Sequence, residues 1–165
     1  MNKIKYFWYL IIGLLSVLLD VSFLSNFEVY GASVITSFLI LIILAISDKG
    51  DDYIYFALLL VILFSIFSSL PLGVIAFDLL VLPIALNLVI KKYFPRPNNF
   101  TALFYFILAT FAFDLFLLIW SRDWSMTGFL AVGYFVVINS LAGWMIYFIY
   151  NAIRKKFMLD TEIKI

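Results

Sequence analysis

Leu72 to Ile90 reads LGVIAFDLLVLPIALNLVI and runs directly into Lys91-Lys92-Tyr93-Phe94-Pro95-Arg96-Pro97-Asn98-Asn99. Asp78 is the single charged residue of that run. At about 1.5 Å per residue, the run is long enough as a helix to cross the roughly 30 Å hydrocarbon core of a bilayer. The basic, proline-stiffened segment behind it cannot enter lipid and marks the return to water. Upstream, Ser68-Ser69-Leu70-Pro71-Leu72-Gly73 has the residues of a hairpin at a membrane surface.

The same reading extends over the whole chain. Apolar runs fall at about residues 6–24, 33–47, 53–70, 72–90, 101–120 and 127–150. This predicts one all-α integral membrane domain over 1–165, a bundle of about six transmembrane helices. The second run is short, which implies a helix tilted little, extended into its flanks or partly re-entrant. Composition agrees: 66% of residues are hydrophobic and 13% charged, far from the roughly half-apolar, quarter-charged mix of soluble domains. The first run follows Lys3 and Lys5, as a signal peptide would. Leu19-Asp20-Val21-Ser22-Phe23 offers no small-x-small cleavage site, so the run is read as a retained span.

Short loops rich in Lys and Arg stay in the cytoplasm. Six spans put Lys3, Lys5, Lys49, Lys91, Lys92, Arg96, Arg154, Lys155, Lys156 and Lys164 on one side and Arg122 on the other. Both termini are therefore expected in the cytoplasm, in a multi-pass protein of the inner membrane. Lys91, Lys92, Arg96, Arg154, Lys155 and Lys156 are candidate contacts for anionic lipid or a partner. No nucleic-acid partner is expected.

The chain has no cysteine and no histidine, which removes thiol nucleophiles, imidazole bases and the usual soft metal sites. No cofactor and no metal are expected. Ser47-Asp48-Lys49-Gly50-Asp51-Asp52 lacks the ligand spacing of a calcium loop and reads as a solvated turn.

Polar groups inside hydrocarbon are costly, so intramembrane acids and amides are the candidate site. They are Asp20, Asp78, Asp114, Asn87 and Asn139. Each acid lies near the outer end of its run, so the three could share one depth. Asp20 reads as the most interfacial, and Arg122 is the one outer base that could pair with Asp114. The amides could hydrogen-bond between helices. Pro83 is expected to bend the fourth span and free a carbonyl that Asn87 or a water could satisfy. Trp8, Trp120, Trp124 and Trp144 fit interfacial belts. An aspartic-protease dyad is disfavoured, because Asp78 and Asp114 are each preceded by Ala-Phe rather than by Gly-x-Gly. The chain is read as not an enzyme.

Leu19-Asp20-Val21-Ser22-Phe23-Leu24, Tyr30-Gly31, the run Phe38-Leu39-Ile40-Leu41-Ile42-Ile43-Leu44-Ala45, Lys49-Gly50 and Leu72-Gly73-Val74 resemble the MreD family of bacterial rod-shape-determining proteins. Ser33-Val34-Ile35 stands where that family has Pro-Asp-Leu. The resemblance implies a membrane scaffold subunit of the cell-elongation machinery, partnered by an MreC-like bitopic protein and cell-wall synthases. It also implies a fold similar to the substrate-binding subunits of energy-coupling-factor transporters. From that likeness comes the alternative, a substrate-capture or transporter subunit using outer-leaflet aspartates.

Overall fold

The computed structural model describes residues 2–28, 32–47, 52–93 and 98–162, with the backbone alone at 2–5, 90–91 and 155–162. The described residues are helical throughout, apart from short turns, with no β-strand among them. The helices are α1 (Asn2–Ser22), α2 (Thr36–Ser47), α3 (Asp52–Phe67), α4 (Leu72–Ala76), α5 (Leu82–Tyr93), α6 (Asn99–Ser121) and α7 (Met126–Glu162). A 3₁₀ turn, Leu24–Asn26, follows α1, and a π-helical segment, Phe77–Val81, joins α4 to α5 without a break.

Each apolar run is thus a helix. Four stretches are long and apolar enough to cross a membrane: Tyr6–Asn26, Leu72–Val89, Asn99–Ser121 and Met126–Arg154. Helices α2 and α3 are shorter apolar helices of 12 and 16 residues. The chain is a membrane protein.

Local chemistry sets the helix ends. Asn98 and Thr101 form a reciprocal capping box at the start of α6, with Thr101 N–H donating to Asn98 Oδ1 at 2.8 Å and Asn98 N–H to Thr101 Oγ1 at 2.7 Å. Arg122, at φ 56°, closes α6 in the left-handed conformation that stops a helix. Ser125 then opens α7, its Oγ accepting from Gly128 N–H at 3.1 Å. Hydrogen bonds from Ser125 hold the exposed Asp123 carboxyl below the usual carboxylate range.

Proline explains the π segment. Pro83 has no N–H and its ring crowds the carbonyl four residues back, that of Leu79. Leu79 lies inside the π segment, where the wider turn gives the ring room. The irregularity expected at Pro83 is therefore a widened turn within a continuous helix.

Helix α2 is the centre of the bundle, in contact with α1, α3, α5, α6 and α7. Buried residues surround its axis: Phe38, Leu39 and Leu41 are fully enclosed, with Ile42, Ile43, Ala45 and Ile46 beside them. A helix apolar on every face needs such a sheath. Phe113 of α6 meets Phe38 with ring centroids 4.6 Å apart and stacks on Phe135 of α7 at 5.7 Å.

Helices α6 and α7 form the most extensive pair. They approach closely at Gly143, where an added Cβ would lie 2.5 Å from Cδ1 of the fully buried Phe106. Gly143→Ala is expected to lower stability by about 1–3 kcal/mol through overpacking. Gly133→Ala is the control, since a Cβ there meets nothing within 4 Å; it should be neutral or stabilising by up to about 1 kcal/mol from helix propensity. Thermal unfolding of both variants in maltoside micelles checks the contrast.

Candidate functional site

A helix leaves its first N–H groups and last carbonyls without internal partners, and in lipid no water stands ready to take them. The start of α2 lies inside the bundle, and most of the intramembrane polar residues are directed at this helix. Asp20 of α1 is buried and accepts from Thr36 N–H at 2.7 Å and Ser37 N–H at 3.0 Å, the first two amides of α2. Its carboxyl oxygens also take Thr36 Oγ1–H at 2.7 Å and the hydroxyl of Ser37. An acid at a helix N-terminus also complements the macrodipole.

Asn139 of α7, fully buried, braces the segment leading into α2. Its Oδ1 accepts from Ile35 N–H at 2.9 Å, while Nδ2 donates to Ser33 O at 2.9 Å and Phe135 O at 3.1 Å. At the opposite end Asn87 of α5 donates through Nδ2 to Ala45 O, one of the last four carbonyls of α2.

Two expectations are corrected here. Asp20 does not turn to water as an interfacial acid would, because it is buried and held by four donors. Asn87 does not serve the carbonyl freed by Pro83, because the end of α2 engages its amide.

Asp78 is a different case. It sits in the π segment, 2% exposed, with an enclosed Oδ1 that has no hydrogen-bond partner. Asp78 lines a cavity of about 510 Å³ at the end of the bundle where α1 and α3 finish and α4 begins. Its polar wall includes Asp20, Glu28, Ser33, Ser68 and Ser69, and its apolar wall Phe64, Phe67, Ile75, Leu79, Phe113 and Leu117.

The three acids do not converge on one site. Asp20 and Asp78 share the cavity wall, whereas Asp114 is half-buried outside it, near enough to Asp78 for the two carboxyl groups to repel. The segments carrying Asp78 and Asp114 do pack together, with Phe77 stacked on Phe116 at 4.0 Å. Arg122 is exposed, and among the described residues no ion pair joins it to Asp114.

Of the basic candidates, Lys92 is exposed, its Nζ 5.3 Å from the ring centroid of Tyr93, and Arg154 is half-buried. Lys91, Lys155 and Lys156 are helical, with side chains outside the described residues. Arg96 and the 48–51 turn also lie outside them. Trp144 donates through Nε1 to Asn99 O at 2.9 Å, tying α7 to the start of α6.

Sequence reading missed Thr36 and Ser37, the partners of Asp20, and the cavity residues Glu28, Ser68 and Ser69. Thr36-Ser37 ahead of Phe38 is a helix-start signal that could have placed the α2 boundary. The buried bond between Thr110 Oγ1 and Ser140 Oγ, 3.0 Å long, was also unforeseen. Comparison with protein-family models, curated proteins and solved structures finds no match for this chain.

The contrast between the two acids is measurable as stability. Asp20→Leu orphans two backbone amides and two hydroxyls, at about 1–3 kcal/mol for each buried group left unsatisfied, so a loss of at least about 3 kcal/mol is expected. Asp78→Leu removes a polar group with no partner and should be neutral or mildly stabilising. Denaturation of both variants in micelles tests the assignment; equal losses would contradict it.

Proposed function

We propose that the chain is a non-enzymatic scaffold subunit of the bacterial cell-elongation machinery, placed in the cytoplasmic membrane as six spans with both termini in the cytoplasm. The observation that carries this reading is the length of α7. Its 37 residues extend about 55 Å. The hydrocarbon core accounts for roughly 30 Å of that. The remainder projects as helix and carries Arg154, Lys155 and Lys156 on the side to which the basic residues point. The basic turn Arg154-Lys155-Lys156, followed by Asp160 and Glu162, makes this projection a docking element for partners, for which the resemblance to the MreD family suggests an MreC-like bitopic protein and cell-wall synthases. The use of Asp20, Asn139 and Asn87 to hold α2 fits the same reading, since it commits the interior polar groups to a rigid platform.

A second reading, capture of a small molecule from the outer side, is favoured by the cavity. Its volume falls within the roughly 300–1,000 Å³ typical of ligand pockets.

Both topology and partnership can be tested on the protein as it stands. The chain has no cysteine, so single-cysteine variants report sidedness without background. Ser69→Cys should react with an impermeant maleimide from outside intact cells, and Asn151→Cys only after permeabilisation. The tagged chain, purified in mild detergent, should retain a bitopic envelope protein or a cell-wall synthase. Reversing Arg154, Lys155 and Lys156 to Glu should reduce that recovery at least tenfold, while Asp78→Asn and Asp114→Asn leave it intact. Recovery unaffected by the reversal, or lost in the aspartate variants, would overturn the scaffold reading.

A further inference from the structure

We propose that the cavity behind Asp78 is a binding site for an organic ammonium ion attached to an apolar body. The proposal rests on the capture reading and not on the scaffold reading, so either can fail alone.

The lining itself selects the ligand. Among the described residues three acids face the cavity, Asp20, Glu28 and Asp78, and no lysine or arginine does. Asp20 is already occupied by its four donors from Thr36 and Ser37. That leaves Glu28, exposed at the rim, and Asp78, deep in the wall with an unpartnered oxygen. An anionic ligand would meet carboxyl groups without a counter-charge, and an uncharged one would leave the Glu28 and Asp78 carboxyls still without one. A cation answers both problems.

The apolar wall fixes the rest of the ligand. Phe64, Phe67 and Phe113 line the same space, and aromatic faces attract ammonium groups while excluding water from their substituents. The serines at the rim, Ser68 and Ser69, leave a polar entrance between the end of α3 and the start of α4. The π turn that carries Asp78 is the kind of irregularity often found at functional positions in helices.

Two sources could present this chemistry, a dissolved amine or the ethanolamine headgroup of a lipid, and one experiment separates them. The full chain in neutral maltoside micelles is titrated calorimetrically with benzyltrimethylammonium, and with neopentylbenzene as its uncharged isostere. Saturable one-site binding of the cation is expected, at least tenfold tighter than the isostere. Asp78→Asn should weaken the cation at least tenfold and leave the isostere unchanged, and Glu28→Gln should weaken it less. Ser69→Lys, an exposed change that places a fixed ammonium at the rim, should also abolish binding, which keeps the test open if an Asp78 variant does not fold. Adding phosphatidylethanolamine, but not phosphatidylglycerol, competes if the source is lipid; absence of competition assigns the site to a dissolved amine. The proposal is overturned by no saturable binding to protein with an intact unfolding transition, by equal affinity for cation and isostere, or by full affinity in Asp78→Asn.

Discussion

The ends of α2 are the constraint on which this bundle depends. A helix that stops inside a membrane protein exposes N–H and carbonyl groups where each unsatisfied one costs several kcal/mol. Three different helices supply the answer: α1 through Asp20, α7 through Asn139 and α5 through Asn87. Each must present its polar residue at the depth of an α2 terminus, so one short helix sets the register of three longer ones. Sliding α1 by a single turn, about 5.4 Å, would carry Asp20 away from Thr36 and Ser37. Apolar packing in lipid is weakly directional by comparison, since lipid tails solvate leucine as well as protein does.

The same shortness creates the cavity. The 12 residues of α2 extend about 18 Å. That is well short of a hydrocarbon core of roughly 30 Å, which Tyr6–Asn26, Leu72–Val89, Asn99–Ser121 and Met126–Arg154 beside it are long and apolar enough to cross. Above its N-terminus the space is taken by the non-helical segment Ser33-Val34-Ile35, which lines the cavity floor and is pinned from below by Asn139. Fold and pocket therefore have one origin. A second span of full length would not need the buried N-terminal cap and would fill the void.

Much of this architecture was legible in the residues. Runs bounded by charge, Pro, Asn and Gly mark the helices closely, because leaving hydrocarbon is a local property of the chain: α3 begins at Asp52 and α7 at Met126, each one residue from the start of its apolar run. The reading placed the start of the second run at 33, whereas α2 begins at Thr36, because Ser33 to Ile35 are apolar enough for lipid yet give their backbone groups to Asn139. It ended the last run at 150, but α7 continues to Glu162. Hydropathy falls there while Arg, Lys, Met and Leu remain good helix formers in water. Partners were not legible. Asn139 and Ile35 are 104 residues apart, and only the closed bundle brings them together.

Asp20 and Asp78 show why residue type and depth alone do not assign a role. Both are buried aspartates on the wall of one cavity, and both looked like members of one set. Asp20 ends a regular helix opposite a helix N-terminus, and the geometry of α2 saturates it. Asp78 stands in a turn widened to make room for Pro83, where the extra residue rotates everything before it by roughly 100° relative to an uninterrupted helix with 3.6 residues per turn. The proline thus decides which way Asp78 faces relative to Asn87 on the same continuous helix: Asn87 toward the end of α2, Asp78 toward the cavity. A buried acid with no partner lowers stability, and folds keep such groups where something other than stability depends on them. In this molecule that argument singles out Asp78, since the other four intramembrane polar candidates are either spent on α2 or, like Asp114, stand outside the cavity.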